Sequence, residues 1–175
     1  YEAFDVLLEN REKRNALDLD LPERQIVVDE HGHMSDVIIR ERLNSHRLIE
    51  EFMILANVAA AKALEDKNAP CVYRVHEKPD AARFDSLRSF LEAFELSFPK
   101  GAVITGEHVN TLLTQASNKP YTHLIHEIIL RTQSQAHYTT KNKGHFGLAL
   151  EKYAHFTSPI RRYADLIVHR SLISA

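Results

Sequence analysis

The sequence has a single cysteine, Cys71, among its 175 residues. No internal disulfide can form, which fits a reducing cytosol and an expected cytoplasmic location. No apolar run reaches the length of a membrane span. The longest, 52–64, is interrupted by Asn57 and Lys62 and reads as a buried helix. No stretch has the form of a signal peptide, so no membrane partner is expected. An excess of positive charge is missing too: 22 Lys and Arg stand against 24 Asp and Glu, a net charge of −2. Any site for a polyanion must therefore be a local cluster of Arg, Lys and His. The 11 histidines never fall into an HxxxH spacing, and a lone cysteine cannot make CxxC. A metal site built on them is not expected. Internal repeats and low-complexity segments are absent as well.

What is present suits one globular domain. Hydrophobic residues make up 44% and charged residues 26%, and the chain is long enough to bury a core without staples. It begins at Tyr1 without Met and stops at Ala175 inside a helical pattern with no stop signal, so it is expected to be a fragment of a longer protein.

Phe4–Arg14 is charged, with a few apolar residues, and suits a surface helix. Ala16–Leu21 alternates Leu17, Leu19 and Leu21 with Asp18 and Asp20, the period of a strand. Pro22 and Glu23 turn the chain. Gln25–Val28 and Ser35–Arg40, joined through Asp29–Gly32, are two more strands. Together these predict a small antiparallel meander. Asn44 or Ser45 is placed to cap a long helix to about Glu65, apolar over most of its circumference and hence central. Pro70–His76 reads as extended. Helical spacing recurs over Asp80–Phe94, Glu107–Gln115 and Tyr121–Gln133, and His137–Tyr153 reads as loop and strand. The fold class is α+β, a meander followed by a mostly helical region.

The chemistry concentrates in His155–Arg170, HFTSPIRRYADLIVHR. Ser158 with Pro159 predicts a helix start, the serine or Thr157 as cap and the proline at the first position. Arg161 and Arg162 then fall in the first turn, where the helix dipole disfavours a cation by about 0.3–1 kcal/mol each. An anion partner would explain them, since guanidinium forks suit phosphate. Carboxylates elsewhere in the domain would explain them equally well. Asp165, four residues after Arg161, is spaced to orient it, and Arg162, Asp165 and His169 share a face. In the long helix, Glu50 and Asn57 are seven residues apart and share a face. A ribose hydroxyl is one candidate partner for them. For Glu51 the preferred partner is Arg47.

HFTSPIRRYADLIVHR closely resembles the most characteristic signature of the ribonuclease II/ribonuclease R family. Similar motifs occur in the family order along nearly the whole chain: ALDLDLP at 16–22, RLIEEFMILAN at 47–57, YRVHE at 73–77 and HFGLAL at 145–150. The ALDLDLP and YRVHE variants favour the ribonuclease R branch. The resemblance implies that residues 1–175 are the C-terminal portion of one RNB-type catalytic domain. The implied activity is processive 3′-to-5′ removal of nucleoside 5′-monophosphates from RNA by two-metal hydrolysis. It implies Arg161 as the catalytic phosphate contact and Glu50 as a contact of the 3′-terminal nucleotide. Arg162, Tyr73, Arg74 and His155 are weaker RNA-binding candidates. For Tyr73, His76, His145 and His155 packing is the competing reading, and Tyr153 and Phe156 read as core. The family's aspartate cluster is missing; Asp18 and Asp20 lie outside its context. Mg²⁺ is thus expected to be held by residues outside this chain, and the chain alone to be inactive. The implied partners are a single-stranded RNA 3′ end and the remainder of the parent protein with its RNA-binding domains. The alternative is a catalytically inactive RNB-like domain that binds RNA or protein.

Overall fold

A computed structural model describes residues 2–19, 23–41, 43–101 and 103–175. The element order is α1 (Glu2–Lys13), β1 (Arg24–Val28), β2 (Met34–Ile39), α2 (Asn44–Asp66), β3 (Tyr73–Val75), α3 (Ala81–Glu92), α4 (Gly106–Ala116), α5 (Thr122–Thr132), β4 (His137–Thr139) and α6 (Tyr163–Ser174). A 3₁₀ turn at Phe146–Leu148 precedes α6. β1 pairs with β2 and β3 with β4, both antiparallel. The expected α+β class is the observed one.

The meander is a two-stranded hairpin instead. Residues 16–19 form no strand, and the rest of the expected first strand, with Pro22, lies outside the described residues. Side chains and irregular backbone satisfy this segment: Leu17 N donates to Gly147 O, and Asn110 Nδ2 donates to Ala16 O at 2.9 Å. The alternation of Leu17 with Asp18 reflects burial, since Leu17 enters the core and Asp18 stays out. Period two therefore arose here without a ladder.

α2 starts at Asn44, so Leu43 takes the cap position and neither Asn44 nor Ser45 does. The helix is also one-sided. It buries Ile54, Ala60, Ala61 and Leu64, while Ile49, Phe52 and Leu55 remain exposed at 56%, 44% and 54%. The hairpin likewise exposes Ile26, Val28, Met34 and Ile39. Two cores share the interior. One joins α3, α4 and α5 with Leu17; the other joins α2, β3 and α6 through Leu64, Cys71, Val75 and Val168. Cys71 is buried, and burial pushes its thiol up to about 11, so it packs as a small apolar group.

Two histidines link β3 to the HFGLAL segment. Gly147 N donates to His76 Nδ1 at 3.0 Å, and Leu148 N donates to His145 Nδ1 at 3.2 Å. Their rings meet edge-on at 5.0 Å. A Cβ on Gly147 would lie 2.9 Å from His76 Nδ1, so glycine is needed for this approach. Burial lowers both rings below the ordinary histidine range. His145 reaches about 3, with His76 and Arg74 adding like-charge repulsion. Both rings are thus neutral acceptors in the fold.

The folded state holds these histidines below their unfolded value of 6.5, so the unfolded chain binds more protons under that pH. Their contribution is full above about pH 6.5 and is lost as pH falls towards about 3. The thermal midpoint of the protein is expected to drop between pH 7 and pH 5. His145→Asn, which retains a side-chain acceptor, should flatten that slope; an unchanged slope would contradict the assignment.

Candidate nucleic-acid interface

The segment leading into α6 is organised by two buried polar side chains from different helices. Asn57, in α2 and 2% exposed, accepts from Phe156 N at 2.8 Å and Thr157 N at 3.2 Å. Its Nδ2 donates to the Tyr153 hydroxyl at 2.9 Å. Asp165, in α6 and fully buried, accepts from Ser158 N at 2.7 Å and from Arg162 Nη2 at 2.8 Å. Its other oxygen lies 2.8 Å from Arg162 Nε. His169 donates from Nε2 to Phe156 O and stacks on the Phe156 ring at 4.2 Å.

These bonds correct the expected helix start. α6 begins at Tyr163, and Arg162 is its extended cap residue. Residues 158–161 form a turn in which Arg161 N and Arg162 N both donate to Ser158 O. Proline at the second position favours a type I turn as much as a first helical position, so Ser158-Pro159 fits either. The burial of Asp165 decides for the turn, because the carboxylate needs Ser158 N and the Arg162 guanidinium as partners. Neither arginine sits in a first helical turn, and the dipole argument for an anion lapses. Asp165 orients Arg162, not Arg161. Among the described residues no hydrogen bond or ion pair holds the Arg161 side chain, which is exposed on the clamped turn next to the fully exposed Ile160.

Arg162, Asn57 and Tyr153 line an open groove of about 1160 Å³. Glu50 and Arg47 of α2 line it too, as does Asp18. Glu50 thus shares the groove with Arg162 of the signature run. Its side chain is 41% exposed and lies 3.8 Å from Arg11 Nη1. Asn57, by contrast, is consumed by the signature loop and is not offered to a ribose. The expected Glu51–Arg47 pair is not formed. Glu51 is buried and holds Arg11 at 2.7 Å and Arg14 at 3.3 Å, tying α1 to α2. Arg47 lies over the Phe4 ring instead. A local i,i+4 pair lost to two arginines from a helix that sequence spacing cannot place nearby.

The β3–β4 sheet places the remaining candidates on two faces. Tyr73 points into the core, and its hydroxyl donates to Glu65 Oε1 at 2.9 Å. Glu65 also takes Asn142 and Lys152. Burial and the carboxylate hold the Tyr73 phenol well above its usual range. Tyr73 and His76 are both buried and engaged within the fold, Tyr73 by Glu65 and His76 by Gly147 N. Arg74 points outward, 4.8 Å from the centre of the Tyr138 ring. The Tyr138 hydroxyl and His155 Nδ1 are 2.7 Å apart. Burial lowers His155 to about 4; Arg162, and more weakly Arg74 and Arg161, push it in the same direction, partly offset by Asp165. Tyr138 carries no motif or period that singles it out in sequence; only strand pairing sets it against Arg74.

Among the described residues, no group of three or more His, Cys, Asp or Glu is arranged to hold a metal. Asp18 faces the groove without acidic neighbours at ligand spacing, and Asp20 lies outside the described residues. No described helix is long and apolar enough to cross a membrane.

Comparison with known proteins is consistent over the full chain. Residues 1–175 match the RNB domain family. Ribonuclease R of Aquifex aeolicus is 41% identical over 172 residues, which is 98% of this chain and 24% of that protein. The chain thus spans about a quarter of that relative's length. The structure of Mycoplasma genitalium RNase R in complex with ribose-methylated single-stranded RNA superposes with a TM-score of 0.91 at 31% identity, covering 97% of this chain and 27% of that one. Yeast Ssd1, described as a pseudonuclease, superposes with a TM-score of 0.64 at 26% identity over 75% of this chain and 17% of its own. A family match over every residue, with a signature loop clamped from both sides, leads to one conclusion: the chain belongs to the RNB domain family.

Proposed function

We propose that this chain is the C-terminal portion of an RNB-type catalytic domain whose parent is a processive 3′-to-5′ exoribonuclease releasing nucleoside 5′-monophosphates. The observation that carries the reading is the exposed Arg161, presented on a turn held by Asn57 and Asp165 beside a groove containing Glu50. Metal-assisted hydrolysis by Mg²⁺ is the chemistry proposed for the parent, with the ligands outside this chain, since the described residues do not fit a metal cluster. A single-stranded RNA 3′ end is the proposed substrate, supported by the RNA named in the complex of the Mycoplasma genitalium relative. The lone buried Cys71 is compatible with a cytoplasmic location.

Each residue here has a definable task. Arg161 donates to the phosphate at the scissile bond and stabilises charge that develops there, which a pre-organised cation does without reorganising. Arg162 is held by Asp165 and fixes the turn from behind. Glu50 accepts from the 3′-terminal nucleotide, with Arg11 holding its side chain against α1. The exposed apolar face of α2 and the hairpin are proposed to be covered by the rest of the parent domain. Its flanking RNA-binding domains would deliver the strand. The second reading, an inactive domain that binds RNA or protein, is favoured by the likeness to the pseudonuclease Ssd1.

Three measurements test this assignment. In the parent protein, Arg161→Ala should lower kcat by roughly 10²-fold with RNA affinity near that of the wild type. Equal losses in both would contradict a transition-state role, and a wild-type parent that binds RNA without releasing monophosphates would establish the inactive reading. Asn57→Ala should leave the Phe156 and Thr157 N–H groups without an acceptor and cost about 1–3 kcal/mol of stability. Its kcat should fall while KM holds; no change in either would refute the positioning of Arg161 by Asn57. The purified 175-residue chain should release no nucleoside monophosphate with Mg²⁺, and Mg²⁺-dependent release would overturn the placing of the metal ligands elsewhere.

A further inference from the structure

The outer face of the β3–β4 sheet carries a row of rings that begins in the groove and ends at the surface. Arg74 of β3 is the direct cross-strand partner of Tyr138 on β4. On the other side, Arg74 N donates to Tyr153 O, and Tyr73 bridges to Ala154. The segment 153–155 thus acts as a third strand. Because side chains alternate across a strand, Tyr138, Arg74, Tyr153 and His155 all project on one face, away from the core that holds Tyr73 and Val75.

Along this face Tyr153 and His155 meet edge-on at 5.7 Å, and His155 meets Tyr138 edge-on at 5.6 Å. Tyr153 lines the groove with Arg162 and Glu50. Tyr138 is the outermost ring and is 42% exposed. Its orientation is fixed by the Arg74 guanidinium 4.8 Å from its centre and by the contact of its hydroxyl with His155 Nδ1 at 2.7 Å. Lys141, just beyond β4, is exposed as well. An immobilised aromatic ring with a guanidinium over it suits single-stranded nucleic acid: the cation follows the backbone and the ring takes a base.

We infer that Tyr138, held by Arg74 and His155, is a stacking platform for one base of the single-stranded RNA lying outside the groove, while Arg74 contacts the adjoining phosphate. The inference rests on the proposed function, in which the 3′ end occupies the groove. It adds a second point of attachment at the far end of the ring row. Stacking accepts every base, so the platform imposes no sequence preference. It holds the strand in line while its end is processed.

The test uses the full-length parent with EDTA present, so that RNA binds without turnover. Single-stranded oligonucleotides carry 2-aminopurine at successive positions from the 3′ end, and its fluorescence reports stacking. The wild type should give a stacked signal at one position outside the terminal nucleotides. Tyr138→Phe should keep that signal. Tyr138→Leu, which retains apolar bulk but no flat ring, should lose it and bind about tenfold more weakly. The salt dependence of that variant should match the wild type, whereas Arg74→Ala should reduce the log–log salt slope by about one. Wild-type affinity and signal in Tyr138→Leu would overturn the platform alone. A wild-type parent with no affinity for single-stranded RNA would overturn the exoribonuclease reading and the platform with it.

Discussion

Buried in α2, the Asn57 carboxamide accepts two backbone N–H groups from the loop that carries Arg161 and donates to the Tyr153 hydroxyl. It thereby joins the long helix, the sheet edge and the signature run at one point. Asp165 completes the clamp from α6, taking Ser158 N and the Arg162 guanidinium. A fully buried carboxylate is tolerable only with such partners. The turn is therefore over-determined: releasing it would leave an amide and a charge without partners in the interior. Arg161 inherits this rigidity through the backbone while its own side chain stays available to an external anion.

The electrostatics around the clamp divide into paired and uncompensated charge. Glu51 absorbs Arg11 and Arg14, Asp165 absorbs Arg162, and Glu65 absorbs Lys152. The histidines nearby are held neutral by burial, helped by Arg74 and, for His155, by Arg162 and Arg161, so they add no charge and serve as acceptors or ring surfaces. Arg161 remains without a carboxylate partner among the described residues, in a chain whose net charge is −2. Cationic surface here is thus local, built by neutralising the interior carboxylates with some arginines and leaving Arg161 exposed.

Much of the architecture was legible from periodicity and breakers. The helices of the middle region needed only apolar spacing; α3 starts one residue later than expected, with the Asp80 side chain capping it by accepting from Arg83 N. The errors arose where tertiary partners overrode local signals. Leu17 and Asp18 alternate because one is buried and the other is not. Pro159 opens a turn and no helix, because the Asp165 carboxylate needs the backbone of Ser158. Glu51 ignores Arg47 because α1 brings two guanidinium groups to it. Tyr138 gave no signal, since its value depends on which residue lies across the strand.

The sequence by itself determined the fold class, most of the elements and, through a signature extending from 16–22 to 155–170, the family. Those properties rest on local spacing and on motif order, which are one-dimensional. Only the tertiary structure decided which arginine is held and which is free, because that depends on where a buried carboxylate finds its donors. It also decided that Asn57 clamps the signature loop, and that Glu50 shares a groove with Arg162. Such assignments follow from the cost of leaving polar groups unsatisfied in a three-dimensional interior, and no spacing along the chain encodes that cost.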